Sequence, residues 1–283
     1  MTVKLIVFLF LLIWSSIVYS ENRPKEIQFN SEFKWERFEL ADMKTKVDFL
    51  SNSKEFNDLI ENGLYTRESL LNDLHVIDLN GDGQNDIVFD GLSGGEPNRI
   101  AIYINERATF LKVFEDYQKI LKIEFQSDKL NKIWIENRGC CGDPMVQLKT
   151  YKVSYDNSVP KFEEIVQSRY FNDCSAIRPK EKFEDVIKFE VTNDNYNIRF
   201  SPEINNENEY CWDQITGNIL GSLTKGQKGF ALGEFIDETG RTWWFSAFPP
   251  DTNIENSFYY NHGISKDWAL GWISSRYVRI VTE

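Results

Sequence analysis

The sequence predicts a mainly β protein, an N-terminal antiparallel β-sheet domain with one short helix and one oxygen-rich hairpin loop, followed by a small β-barrel. Three observations carry this. Short runs of Ile, Val, Tyr and Phe recur after residue 70, separated by Gly, Asn, Asp and Pro clusters at the intervals of strands joined by tight turns. Five of the eight tryptophans lie between residues 212 and 272, where a small barrel needs large side chains to fill it. The 283 residues are 41% hydrophobic and 14% aromatic, enough for packed cores and unlike the composition of a disordered chain.

The first element is a leader. One positive charge in Met1–Lys4 precedes an apolar stretch from Leu5 to Ile17, and Val18-Tyr19-Ser20 closes it before polar Glu21. That layout is a secretory signal peptide with cleavage after Ser20, because ~13 apolar residues fall short of the ~20 that span a bilayer. The mature chain is expected to be exported, periplasmic or extracellular, with no stable membrane insertion.

The next region, 21–180, is the β-rich domain. Within Ser53–Gly63, Phe56, Leu59 and Ile60 fall at helical spacing and a glycine ends the run, predicting a short helix. Strands are expected at His75–Ile77, Asp86–Phe89, Arg99–Asn105, Phe110–Phe114, Ile120–Phe125, Lys132–Glu136 and Val146–Tyr155.

Between the first two strands lies Asp78-Leu79-Asn80-Gly81-Asp82-Gly83-Gln84-Asn85-Asp86. Oxygen-bearing side chains of Asp78, Asn80, Asp82 and Asp86 stand at loop positions one, three, five and nine. Gln84 offers a backbone carbonyl at seven, and Gly83 allows the sharp turn at six. Calcium takes six to eight oxygens delivered in this way. From Glu68 to Asn98 there are seven acidic residues and no Lys or Arg, so the loop carboxylates repel one another unless a cation neutralises them. Phe89 stands where an EF-hand needs a bidentate glutamate, and strand-like residues flank the loop, so the expectation is a structural Ca2+ held in a β-hairpin. The loop resembles the calcium loops of FG-GAP and VCBS-type repeats, here in a single copy.

Four cysteines in an exported chain suggest disulfides. Cys140 and Cys141 are adjacent in a Gly/Pro turn, with Cys174 and Cys211 downstream. No Cys-x-x-Cys spacing is present. Cys174 is expected to bond one of the adjacent pair, with the choice between them open. Residues 171–183 read as a connector, placing the domain boundary near residue 180.

The remaining region, 181–283, is the expected barrel. Asn197-Ile198-Arg199-Phe200-Ser201-Pro202, Leu223-Thr224-Lys225-Gly226, Gly240-Arg241-Thr242-Trp243-Trp244-Phe245 and Gly271-Trp272-Ile273-Ser274-Ser275-Arg276-Tyr277 occur in an order that resembles a bacterial SH3-like (SH3b) domain. The resemblance implies a five-stranded barrel that recognises peptide or cell-wall material. Two segments depart from it, a lengthened first loop at 203–216 and an insertion at 249–267. Trp272 and one of Trp243 or Trp244 are assigned to the core. Tyr259, Tyr260 and Trp268, in or beside the insertion, are candidates for an exposed ligand-binding face.

Charge and chemistry narrow the function. The chain carries 32 basic and 44 acidic residues, net −12, and so lacks the clustered Lys and Arg that neutralise nucleic-acid phosphates. Only two histidines, His75 and His262, are present, and no nucleophile elbow, P-loop or dinucleotide fingerprint appears. No catalytic residue can be nominated. The expected function is an exported, calcium-stabilised binding protein; the alternative is a cell-envelope hydrolase of glycosidase or peptidase type with an acidic site no motif reveals.

Overall fold

A computed structural model describes residues 23–31, 33–95, 98–107, 109–139, 142–207, 215–261 and 267–282. The expected signal segment 1–20, Cys140, Cys141, Cys211 and His262 lie outside them. The fold is mainly β, as the sequence predicts. It divides into two compact units. Gln28–Ile165 form one, and Val166–Glu283 with the N-terminal residues to Ile27 form the other. The division falls at Ile165/Val166, inside β8 (Val159–Phe171), whose last residues belong to the second unit, whereas the sequence places the boundary near residue 180.

The 28–165 unit begins with three helices, α1 (Met43–Asn52), α2 (Lys54–Glu61) and α3 (Arg67–Asn72). Only α2 was expected. Asp42 caps α1 by accepting from the Thr45 N–H at 3.1 Å, and Thr66 and Ser69 cap α3 reciprocally. Then β1 (Leu74–Ile77), β2 (Asp86–Gly91), β3 (Arg99–Glu106) and β4 (Thr109–Asp116) form an antiparallel sheet in sequential order. A second sheet runs β5 (Lys119–Gln126), β6 (Lys129–Asn137), β7 (Met145–Asp156), with β8 beside β7. Two-residue turns with positive φ at both residues, Ser127-Asp128 (51° and 61°) and Asn157-Ser158 (50° and 70°), join β5 to β6 and β7 to β8. That geometry matches strand twist.

Side-chain alternation explains the layers. Ile77, Val88, Ile100, Ile102 and Ile104 point from the first sheet to Ile120, Ile123, Leu130, Ile133, Ile135 and Val153 of the second. Leu74, Val76, Ile87, Phe89, Ala101 and Tyr103 point the other way, to Phe49, Leu50, Phe56 and Leu70 of the helical layer. The middle sheet is therefore covered on both faces, and β1 to β3 read as almost unbroken apolar runs.

In the other unit, β9 (Ile187–Val191), β10 (Tyr196–Arg199), β11 (Ile219–Leu223), β12 (Lys228–Ile236), β13 (Thr242–Phe248), β14 (Trp268–Ser274) and β15 (Val278–Ile280) pair in the order β11-β10-β14-β13-β12-β9-β15, every pair antiparallel. Among the described residues this makes seven strands where five were expected. Strand β14 is the hub. One edge pairs with β13, and its other edge pairs in parallel with Ser168–Tyr170 of β8 and, at Trp272, with Arg199 of β10. Trp243, Trp244 and Trp272 are all buried. A four-residue helix, α4 (Phe258–Asn261), lies in the inserted segment. No helix among the described residues is long and apolar enough to cross a membrane.

Candidate functional site

The oxygen-rich loop connects β1 to β2, with Ile77 and Asp86 as the closing pair. Its backbone coils because side chains hold it. Asp78 Oδ1 accepts from the N–H groups of Gly81 (2.8 Å) and Asp82 (3.2 Å), and Asp78 Oδ2 from Gly83 N–H (2.9 Å). Asp82 Oδ1 accepts from Gln84 N–H at 2.8 Å, and Asn80 Oδ1 from Asp82 N–H at 3.1 Å. Gly83 sits at φ 81°, a conformation that side-chain-bearing residues rarely adopt, at the position where the sequence predicts the sharp turn. The loop is seated between the two tight turns of the second sheet. Asn80 Nδ2 donates to Ser158 O at 3.2 Å, and a Cβ on Gly81 would lie 3.2 Å from Asp128 O. Tyr155 Oη donates to both Leu79 O (2.9 Å) and Leu130 O (2.8 Å).

Asp86 is fully buried. Its Oδ2 accepts from Leu79 N–H and its Oδ1 from Asn105 N–H, both at 2.9 Å, so it ties loop, β2 and β3 together. Burial, followed by the charges of Asp82 and Asp78, outweighs these hydrogen bonds and raises its pKa to about 7. Gln84 Oε1 accepts from Arg107 N–H at 3.2 Å, a side-chain role the sequence reading did not give it. Among the described residues no three His, Cys, Asp or Glu side chains converge in metal-holding geometry. The Asp78 and Asp82 carboxylates instead hold the loop's own amides. The donor set still suits a hard cation: three carboxylates and an amide oxygen share one short loop, and one carboxylate is pushed toward its neutral form by burial first and by the other two second.

A second polar cluster lies in the same unit. His75 stacks on Trp35 with ring centroids 4.1 Å apart, and its Nδ1 is 3.1 Å from Glu39 Oε2. Lys46 Nζ sits 2.6 Å from Glu39 Oε1, and Trp35 Nε1 donates to Asp90 Oδ2 at 2.9 Å. Burial lowers the His75 pKa below its ordinary 6.5, despite the opposing pull of Glu39. Folded protein thus resists protonating His75, and the stability this residue contributes is present above pH 6.5 and lost on acidification below it. The urea midpoint should fall between pH 7.5 and pH 5.5 more steeply in wild type than in His75→Gln; equal slopes would remove His75 as the cause.

The aromatic candidates fall differently from expectation. Tyr259 and Trp268 are 1% and 3% exposed, and Tyr259 Oη donates to Leu270 O at 2.7 Å. They are core residues of the 166–283 unit rather than a solvent face, because the inserted segment folds back over β14. Tyr260 lies in α4, and its side chain is outside the described part of the structure. Cys174, exposed after β8 at φ 55°, is the single cysteine among the described residues; Cys140 and Cys141, one of which it is expected to bond, lie outside them, as does Cys211, and the bridge stays an expectation.

The open groove in this unit is elsewhere. A cavity of about 630 Å3 is lined by Ile177, Pro202, Ile204, Phe235 and Arg241, with Asp237 and Glu238 at the β12–β13 turn. A second cavity, of about 670 Å3, adjoins it across Ile177 and Phe235 and reaches Phe183 and Ile236. Ile177, Ile204, Phe235 and Ile236 are 45%, 56%, 40% and 61% exposed, a cluster of bare aliphatic and aromatic surface. Arg199 fixes one wall. Its Nη1 donates to Asn205 O (2.9 Å) and Asn218 Oδ1 (2.6 Å), and its Nη2 to Asn206 Oδ1 (2.8 Å). Buried Asn218 in turn donates to Ser201 Oγ (2.8 Å) and Glu203 O (3.1 Å), so Asn197-x-Arg-x-x-Pro and Gly217-Asn218 together set the path of the first loop. The one signal for the groove in the sequence was Phe235-Ile236 ahead of Asp237-Glu238-Thr239-Gly240, two consecutive apolar residues running straight into a turn.

Compared with known proteins, the chain matches no family model, no curated sequence and no solved structure.

Proposed function

We propose that this chain is an exported binding protein with an SH3-like unit that recognises peptide or cell-wall material and a second β unit stapled by structural calcium. The observation that carries the reading is the groove at Ile177, Ile204 and Phe235. It is open, several hundred Å3 in volume, mostly apolar, and walled by a hydrogen-bonded frame, which is how small-ligand and peptide sites are built. Purified protein mixed with peptidoglycan should sediment with it and release no soluble fragments. Release of fragments would favour the hydrolase alternative, and protein left wholly in the supernatant would count against cell-wall recognition.

Calcium in this reading is a staple. The loop 78–86 closes a hairpin seated on the second sheet, and an ion bound by Asp78, Asn80, Asp82, the Gln84 carbonyl and Asp86 would lock the loop between β1 and β2 in one coordination sphere. A ligand that binds only folded protein stabilises it by about 2.7 kcal/mol at a hundredfold excess over Kd. Melting temperature should therefore rise in millimolar calcium over chelator, and Asp82→Ala should lose that difference. Magnesium should substitute poorly, since it demands a tighter octahedral cage. An unchanged wild-type melting temperature would reduce the loop to a polar turn.

A further inference from the structure

The groove contains a cation that the fold does not answer. Arg241, partly buried at the entrance to β13, has its guanidinium carbon 5.5 Å from the Trp243 ring centroid. Its Nε is buried with no hydrogen-bond partner, and among the described residues no carboxylate pairs with the side chain. Arg199 spends its donors on neutral oxygens only. The two guanidinium groups sense each other, since burial and then the charge of Arg241 lower the Arg199 pKa to about 10. The acidic residues beside Arg241 do not balance it. Asp237 Oδ1 accepts from Thr239 N–H and Oγ1–H and from Arg241 N–H, and its Oδ2 from Trp243 Nε1, which fills its oxygens with the turn's own donors. Glu203 Oε1 accepts from Ser201 Oγ at 3.2 Å. In a chain of net charge −12, a half-buried arginine that lines a groove with no carboxylate partner and with its Nε buried and unbonded is a charge the fold leaves for a ligand to meet.

Resting on the binding reading above and deepening it, we propose that the groove takes the C-terminal end of a short peptide. Its terminal carboxylate sits on Arg241, and its last apolar side chain packs against Ile177, Ile204 and Phe235. A planar guanidinium grips a carboxylate through two parallel N–H···O bonds, more strongly than it grips a neutral oxygen. Glu203 and Glu238 line the same cavity and repel a polyacidic segment. A chain terminus delivers the one required negative charge without further acids beside it. The volume, about 630 Å3, suits a ligand of two or three residues.

The test uses the purified chain and two probes, acetyl-Gly-Ala-Leu as the free acid and as its C-terminal amide, titrated by calorimetry. The free acid should bind at least tenfold more tightly than the amide. Arg241→Gln should bring the acid down to the amide's affinity with an unchanged urea midpoint, and Arg241→Lys should recover part of the difference. Equal binding of acid and amide to wild type, or a preference that survives Arg241→Gln, overturns the carboxylate site while leaving peptide binding in place. Acetyl-Gly-Ala-Asp amide binding as tightly as the free acid overturns the chain terminus in favour of an acidic side chain. No binding of any probe at millimolar concentration overturns the inference, and the sedimentation experiment then judges the wider reading separately.

Discussion

Replacing Asp86 with alanine is expected to lower the urea midpoint even in chelator, and by more than any other substitution in the 78–86 loop. The Asp86 carboxylate accepts from the Leu79 and Asn105 N–H groups in a fully buried position. Truncation leaves both donors without acceptors, at about 1–3 kcal/mol each. Asp82 differs, because it is exposed and its contacts stay within the loop at Asn80 and Gln84. Asp82→Ala should thus abolish the calcium response with little change in chelator, whereas Asp86→Ala should do both. Equal midpoints for the two variants in chelator would show that Asp86 acts only as a ligand. The pair separates what the loop does for the fold from what a metal adds.

Gly271→Ala should destabilise the 166–283 unit through a single added methyl. A Cβ there would lie 2.5 Å from Ile198 Cγ2, 3.0 Å from Tyr259 Oη and 3.1 Å from the Arg199 carbonyl. Ile198 and Tyr259 are themselves buried, so neither can swing away into solvent. Overpacking of this kind costs about 1–3 kcal/mol, and here it strikes β14, which pairs with three strands. Guanidinium or urea unfolding followed by tryptophan emission should show the loss, since Trp243, Trp244, Trp268 and Trp272 all report on this unit. A midpoint within error of wild type would mean that β10 can move aside. The glycine of the Gly271-Trp272 pair is there for close approach, as the tryptophan is there for bulk.

Much of the first unit could be read from the chain because its strands are bounded by chemistry that is local. Each of the seven expected runs is rich in β-branched or aromatic residues and meets an Asn, Asp or Ser at its end or within two residues of it, and each corresponds to one of β1 to β7. Strand β8 hid because Val159-Pro160-Lys161-Phe162-Glu163-Glu164 opens with a proline and a charge cluster, which read as a loop. Helix α1 hid because Thr45 and Val47 are β-branched and its buried face is made from the Lys46 stem with Phe49 and Leu50. The loop at 78–86 was legible because its oxygens are spaced by a local rule, yet the burial of Asp86 depends on Asn105 and on a second sheet that no local rule reveals. The groove, beyond the Phe235-Ile236 pair, was illegible for the same reason. Ile177, Ile204 and Phe235 come from three segments, none of which carries a motif, and they meet only once β10 and β12 are in place. Tyr259 and Trp268 misled because a long insertion suggests an exposed loop, whereas this one covers the core.

The position of β14 also bears on the order in which the molecule can be built. Residues 28–165 contain both of that unit's sheets, so it can fold as soon as its own stretch of chain is available. The other unit has no such freedom. Ser168 finds its partner at Trp268, Arg199 finds its partner at Trp272, and Gln167 and Arg169 donate to Asp267, each at 2.6 Å. Contacts so distant along the chain carry a loop-closure cost that must be met before any pairing rewards it, and they slow folding. A chain that stops short of residue 267 has no strand to accept β8, β10 or β13, and exposes their unpaired edges. The second unit is therefore assembled from its far end, with β14 the late-arriving strand that converts three waiting edges into one sheet.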